Sequence, residues 1–332
     1  MKVFIDSSVV HPHRKEVKYQ GIERLCREFS IELTKQGHQV TVTAPEKSEY
    51  PENIKVVTVP AGGADVEQQN FKLYQELLVD VDVIHSFSHF HAPAVFNPRL
   101  PVLSIFWHDP YIAKFPEPSY NMVALSEWGT QRFRDIYRQE ARYQESIVVD
   151  MEIYKPISDI PKTPRFLSIG LMAPSKGHLE AIRLCRKTIS CLDVVGGGFH
   201  PEAPNYANSI KSICDGKQIR FWGEVDDATK LFLLKSCKAL LYTPGIEEVH
   251  SHKSCEALAC GTPVITYNKG CLKEVVGNGG RVVDTEEEFI HYMGNPNRSE
   301  AQCREWAMRW EVGKVVSDYV HLYQQVADGL RW

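Results

Sequence analysis

The chain lacks any apolar run near the roughly 18 residues that a membrane-crossing helix needs. Its opening, "MKVFIDSSVV", carries one lysine and an apolar stretch broken at Asp6, too short for the core of a secretion signal. The expected location is therefore the cytoplasm. Basic charge is also short: the formal net charge of −4 provides no positive field of the kind nucleic-acid binders use, so no nucleic-acid partner is expected. Paired cysteines are missing as well. Nine cysteines, an odd number, include no C-x-x-C and mostly sit inside apolar patterns such as "RLCREF" and "EALACG", which points to free thiols in a reducing compartment.

What is present is alternation. At 332 residues the chain is long enough for two domains on a prior of about 150 residues each. Short β-rich runs at "KVFI", "QVTVT", "KVVTV", "DVIH", "VLSIF", "MVAL" and "SIVV" are separated by helical patterns, the signature of parallel βαβ layering. One such pattern puts Ile22, Leu25, Cys26, Phe29 and Leu33 on a single helical face and stops at Gly37. "KPISDIPKTP" holds three prolines in ten residues, which denies both helix and central strand and marks a linker at 156–164. The alternation then restarts with "RFLSI", "LDVV", "IRFW", "ALLY", "PVIT" and "RVV". The expected layout is an N-terminal domain over 1–155, the linker, a C-terminal domain over 165–305, and an amphipathic closing helix within 306–332 that returns to the N-terminal domain. That helix carries apolar residues at 315, 316, 319, 322 and 326.

Paired α/β units bind ligands at the carboxyl ends of their strands, so the polar loops that follow strands are the candidate sites. In "LSIGLMAPSKGHLEAI" a strand ends at Ile169, Gly170 turns the chain, and Lys176-Gly177 opens a helix. A lysine beside free N–H groups at a helix start suits phosphate; the alternative is a solvated lysine at an ordinary helix start. In "GIEEVHSHKSCEALACGTPVITYNKG", Glu248 to Lys253 form the junction before a helix whose Ala257, Ala259 and Gly261 allow close packing on the sheet. Glu248 and Glu256 would lie about 80° apart on an ideal helix and so touch different parts of one extended ligand. The alternative is a solvent-facing Glu248 and a partnered Glu256.

The E-x7-E spacing from Glu248 to Glu256, followed by "EALACGTPVIT", "GCLKEVV" and "GG", resembles the signature of retaining GT-B glycosyltransferases of family 4, the glycosyl transferases group 1. "YQGIERL", "DVIHSF", "FWHDP", "ALSEW" and "SIGLMAPSKG" resemble further segments of that family in order, so the likeness spans nearly the whole chain. It implies an α/β GT-B fold of two Rossmann-like, doubly wound domains facing a central cleft. It also implies a hexosyltransferase that moves a sugar from a nucleotide-diphosphate donor, UDP-linked rather than GDP-linked, to a glycan, lipid-linked or small-molecule acceptor. On this resemblance Lys176 meets the diphosphate, Glu256 the ribose and Glu248 the transferred sugar. Gly21 lets backbone approach the phosphates, and His108 faces the sugar near the reacting carbon. His250 and Ser251 stand where the family has an aromatic-glycine pair against the donor. Same-face attack with the leaving phosphate as base needs no protein nucleophile, and the sequence has no obvious one. No cofactor and no metal are expected.

The sequence also departs from the pattern. Leu171 occupies the position of the family's arginine, and the asparagine-glycine before the linker is absent near Asp150-Met151. These changes leave open a catalytically silent nucleotide-sugar binder, and a GT-B-like nucleotide-sugar epimerase is the other alternative. Three H-x-H pairs, His11/His13, His89/His91 and His250/His252, lack a third ligand for zinc. The triple glycine from Gly196 to Gly198 reads as a turn first and a ligand approach second. In "GTQRFRDIYRQEARY", Arg134, Arg138 and Arg142 recur at helical spacing. This is a solvated face or, in the sharper reading, a peripheral dock for anionic lipid or an acidic acceptor.

Overall fold

A computed structural model of the chain describes residues 1–14, 21–107, 120–157, 159–198, 203–296 and 298–332. These fall into two compact units, one formed by the residues up to Val148 together with Trp310–Trp332, the other by Val149–Arg309.

The first unit is built on a parallel sheet of seven strands: β1 (Lys2–Asp6), β2 (Gln39–Ala44), β3 (Lys55–Thr58), β4 (Val83–Ser86), β5 (Val102–Phe106), β6 (Met122–Ala124) and β7 (Ala141–Tyr143), in the order β3-β2-β1-β4-β5-β6-β7. Every residue of "VLSIF" in β5 is buried, as a strand covered on both faces requires, whereas the edge strand β3 leaves Lys55, Val56 and Thr58 exposed. The helix Ile22–Lys35 buries Leu25, Cys26, Phe29 and Leu33. It ends where Gly37 takes φ +85° and the His38 N–H returns to the Leu33 carbonyl, a glycine-dependent stop. The C-terminal helix Val312–Ala327 belongs to this unit: Tyr323 Oη lies 2.6 Å from His85 Nδ1, and the Tyr319 ring meets Phe29 edge-on at 5.2 Å. Tyr323 is buried in that helix and Leu322 only half-buried, so the inward face carries 323 where the sequence pattern puts 322.

The second unit carries six parallel strands: β8 (Phe166–Ile169), β9 (Leu192–Val195), β10 (Ile219–Gly223), β11 (Leu240–Tyr242), β12 (Val264–Tyr267) and β13 (Arg281–Val283), in the order β10-β9-β8-β11-β12-β13. The order reverses between β8 and β11, the topological switch point at whose carboxyl end sheets of this kind take their ligands. The same reversal lies between β1 and β4 in the first unit. The division between units falls upstream of the proline-rich stretch because residues 151–154 are tied into the second unit. Arg304 donates to the carbonyls of Met151 and Tyr154 at 2.8 and 3.1 Å, and Lys235 donates to that of Ile153 at 3.0 Å.

Two elements differ from the sequence pattern. "SIVV" is buried throughout but does not form a strand of the sheet; the edge strand is β7, in the arginine-rich segment. That strand exists because the helix Glu127–Tyr137 stops early: Arg138 adopts a left-handed conformation, φ +55°, with its N–H on the Arg134 carbonyl. Arg134, Arg138 and Arg142 therefore do not share one helical face. Arg134 pairs with Glu140 at 2.8 Å, and Arg142 stacks 4.1 Å above the Trp332 ring. No disulfide forms; all nine cysteines are free, Cys191 and Cys214 half-buried and the others buried. Among the described residues no helix is long and apolar enough to cross a membrane.

Candidate functional site

At the switch point of the second unit lie the loop that follows β8 and the loop that follows β11, and close contacts knit the two together. Gly177 adopts φ +75°, and a Cβ there would stand 1.6 Å from the Thr243 carbonyl oxygen, so only glycine permits the approach. Thr243 Oγ1 donates to the Gly177 carbonyl at 2.7 Å, and the Gly245 N–H donates to the Ser175 carbonyl at 2.9 Å. Gly196, after β9, lets the Gly170 carbonyl pass where a Cβ would lie 2.0 Å away, and Met172 N–H bonds the Gly197 carbonyl. The triple glycine thus serves the packing of the β8 loop.

His178, the first residue of the helix His178–Lys187, fixes that loop from below. Its Nε2 donates to the Leu171 carbonyl at 3.1 Å and its Nδ1 accepts from the Ser168 hydroxyl at 2.8 Å. Burial first, then the nearby charges of Lys253 and Lys176, push its pKa down to about 3, so the imidazole is neutral and serves as a strut.

On this frame Lys176, in the short turn Pro174–Lys176, donates to Glu248 Oε1 at 2.7 Å. The two side chains are 23% and 8% exposed, enough for a ligand to reach the lysine and little enough to make the pair strong. The Glu248 backbone is held in turn by the segment after β12. Cys271 N–H donates to the Glu248 carbonyl at 2.8 Å, the Gly270 N–H bonds the Glu247 carboxylate, and a Cβ on Gly270 would run into the Glu248 backbone. Eight residues along the chain, Glu256 sits on the helix His252–Ala259, where its Oε1 accepts from Tyr154 Oη at 2.6 Å and Lys230 Nζ at 2.9 Å. Glu248 and Glu256 are thus oriented by separate partners. Ser251 stands at the helix cap, its hydroxyl 2.8 Å from that of Ser254, and the His250 ring packs against His252 with centroids 5.2 Å apart. Lys253, on the same first turn, lays its ammonium 3.5 Å from the centre of the Tyr242 ring. Burial, reinforced by the charge of Lys176 and opposed by Glu248, holds its pKa well below the usual lysine range.

Five of the sequence-chosen residues, Lys176, Glu248, His250, Ser251 and Glu256, therefore belong to the second unit, at or beside these two loops. Gly21 lies in the first unit, directly before the helix Ile22–Lys35, with open space where a Cβ would be and an ordinary negative φ of −92°. His108 lies outside the described residues. Sequence reasoning missed His178, Tyr154 and Lys230. His178 follows the Lys176-Gly177 pair directly and could have been found there; Tyr154 and Lys230 reach Glu256 only through the fold. Within two of the histidine pairs, His13 bonds Tyr50 and the Ser8 carbonyl, His89 bonds Glu67, and His91 bonds Ser86. Among the described residues no group of three or more His, Cys, Asp or Glu side chains is placed to hold a metal ion.

Residues 150–293 match the model of the family Glycosyl transferases group 1. No curated protein sequence matches the chain. Among solved structures, AviGT4, a glycosyltransferase involved in avilamycin A biosynthesis, is similar at 24% identity with a TM-score of 0.74, over 99% of this chain and 98% of that one. A sucrose-phosphate synthase from Thermosynechococcus elongatus is similar at 15% identity with a TM-score of 0.79, over 99% of each chain. HepE from Anabaena, solved in complex with UDP, is similar at 16% identity with a TM-score of 0.74, over 98% of this chain and all of that one. The two parallel-sheet units have the Rossmann-like fold of GT-B glycosyltransferases, and the family match falls within the second unit.

Proposed function

We propose that the chain is a retaining hexosyltransferase that takes a sugar from a nucleotide-diphosphate donor, UDP-linked in preference to GDP-linked, and passes it to a glycan, lipid-linked or small-molecule acceptor. The observation that carries this reading is the Lys176–Glu248 pair at 2.7 Å, held by two glycine-dependent loop contacts over the point where the strand order of the second unit reverses. A lysine there can take the negative charge that develops on a departing diphosphate, and a neighbouring carboxylate can accept hydrogen bonds from sugar hydroxyls. That HepE was solved with UDP and with UDP-glucose favours a UDP-sugar.

In the proposed reaction the bond between the sugar's anomeric carbon and the diphosphate oxygen breaks and both electrons leave with the diphosphate. The acceptor hydroxyl attacks the same face, and its proton passes to a diphosphate oxygen. Lys176 stabilises the leaving group, Glu248 holds the sugar, and Glu256, aimed by Tyr154 and Lys230, holds the ribose. Ser251 and His250 line the donor side of the helix start. Gly21 and His108 keep the roles that the family resemblance assigns them, beside the phosphates and the sugar. Transfer is expected without a metal, since ammonium and helix N–H groups suffice to neutralise the diphosphate.

The test is incubation with UDP-, GDP- and ADP-sugars, with and without candidate acceptors, in EDTA, with the anomeric configuration of the product read by NMR. Transfer or hydrolysis with retained configuration is expected. Interconversion of the sugar without acceptor would make the chain an epimerase, and binding without turnover a silent binder.

A further inference from the structure

Lys253 reaches the loop after β8 from the start of the helix His252–Ala259. Its Nζ, stacked on the Tyr242 ring, fills the space beside Gly170: a methyl group on residue 170 would lie 2.9 Å from Lys253 Nζ, 3.9 Å from His178 Nε2 and 4.0 Å from Lys176 Cβ. The ammonium is thus delivered by the first turn of the helix His252–Ala259 to the loop that bears Lys176. Among the described residues no carboxylate or carbonyl hydrogen-bonds it, while Glu248 is bonded to Lys176. Two ammonium groups share one carboxylate, and the missing negative charge is what a diphosphate brings.

We propose that Lys253 and Lys176 together grip the diphosphate of the nucleotide, one from the helix start and one from the loop after β8. This rests on the reading of the chain as a nucleotide-sugar transferase. The groups that face Lys253 are Lys176 and His178 from the segment after β8, Tyr242 from β11 and Glu248 from the loop that follows it. His178 is neutral and already bonded on both ring nitrogens, and Glu248 is engaged by Lys176, so neither supplies a full counter-charge to Lys253. Burial and Lys176 depress the Lys253 pKa in the free protein; two phosphate charges placed against it act in the opposite sense.

The experiment is calorimetric titration of UDP into the full chain at pH 8, where a terminal phosphate with a second pKa of about 6 is ionised, at low and at high salt. Lys253→Met should bind UDP about 10- to 150-fold more weakly, the loss of one charge-assisted contact, and its affinity should depend less on salt than that of the native protein. Lys253→Arg should recover affinity and salt dependence relative to Lys253→Met, because a guanidinium restores the charge; a merely structural lysine would leave the salt dependence unchanged. UDP affinity and salt dependence in Lys253→Met equal to native, with Lys176→Met weakened, would overturn this proposal and leave the donor site in place. Failure of the native chain to bind UDP, GDP or ADP would overturn the transferase reading itself.

Discussion

Replacing Glu248 by glutamine should tighten the binding of plain UDP while slowing sugar transfer. In the free site the Lys176 ammonium donates to Glu248 at 2.7 Å, with the two side chains 23% and 8% exposed, so an entering diphosphate must compete with a carboxylate for it. A charge-assisted hydrogen bond of this kind contributes about 1.5 to 3 kcal/mol, and glutamine keeps the hydrogen bond while removing the charge. The gain for UDP should therefore lie below that range, at about 1 kcal/mol, or roughly a fivefold lower Kd. The same substitution weakens the acceptor for the sugar's hydroxyls in the transition state, and kcat should fall about 100-fold, close to 2.7 kcal/mol. Calorimetry with UDP and donor-hydrolysis kinetics read the two effects, and thermal unfolding checks the fold. If Glu248→Gln weakened UDP as much as Lys176→Met does, Glu248 would be a strut for the loop or a nucleotide ligand, and the division of roles would be wrong.

Lys176→Met and Glu256→Ala should each weaken UDP binding, the first by about 10- to 150-fold. Leu171→Arg should tighten UDP binding by about 1 to 2 kcal/mol, and by more in a Lys253→Met background, because the guanidinium then replaces an absent cation; equal effects in both backgrounds would separate residue 171 from the diphosphate. Gly177→Ala should cost about 3 kcal/mol or more in urea unfolding, since it adds left-handed strain to a Cβ placed 1.6 Å from the Thr243 oxygen. Gly294→Ala, in open space at a helix end, should leave stability within about 1 kcal/mol of native. Burial lowers the pKa of His178 and His91 to about 3 and of His13 to about 4. Their neutral forms favour the folded state above the unfolded value of 6.5, so stability should fall as pH drops from 6.5 toward 4, and less steeply in His178→Gln. Asp6 has the opposite sign. Its pKa is raised to about 6, chiefly by burial, so its contribution is full below 3.8 and lost as pH rises through 6, and Asp6→Asn should cost less stability at pH 8 than at pH 4.5.

Both sheets were legible because parallel strands covered on two faces must be short, nearly unbroken apolar runs, and "VLSIF", "LDVV" and "PVIT" are such runs. "SIVV" satisfies the same rule and yet forms no strand of the seven-stranded sheet: burial alone does not decide strand pairing. The true edge strand, "ARY", was hidden inside a helical spacing of arginines that Arg138 breaks without glycine or proline. At the site, Lys176, Glu248 and Glu256 could be found because chemistry-bearing residues stood next to glycines in loops after strands. The partners that orient them could not. Lys230 and Tyr154 meet Glu256 only after crossovers bring distant segments together, and nothing in their local sequence marks them as polar neighbours of a ligand.

The central claim is that the second unit binds a nucleotide diphosphate where the loops after β8 and β11 meet. A crystal structure of the chain with UDP tests it most directly. The account predicts diphosphate oxygens within about 3.2 Å of Lys176 Nζ, Lys253 Nζ turned from the Tyr242 ring toward the phosphates, and the ribose at Glu256. A nucleotide bound elsewhere, with the Lys176–Glu248 pair intact and unapproached, would contradict it.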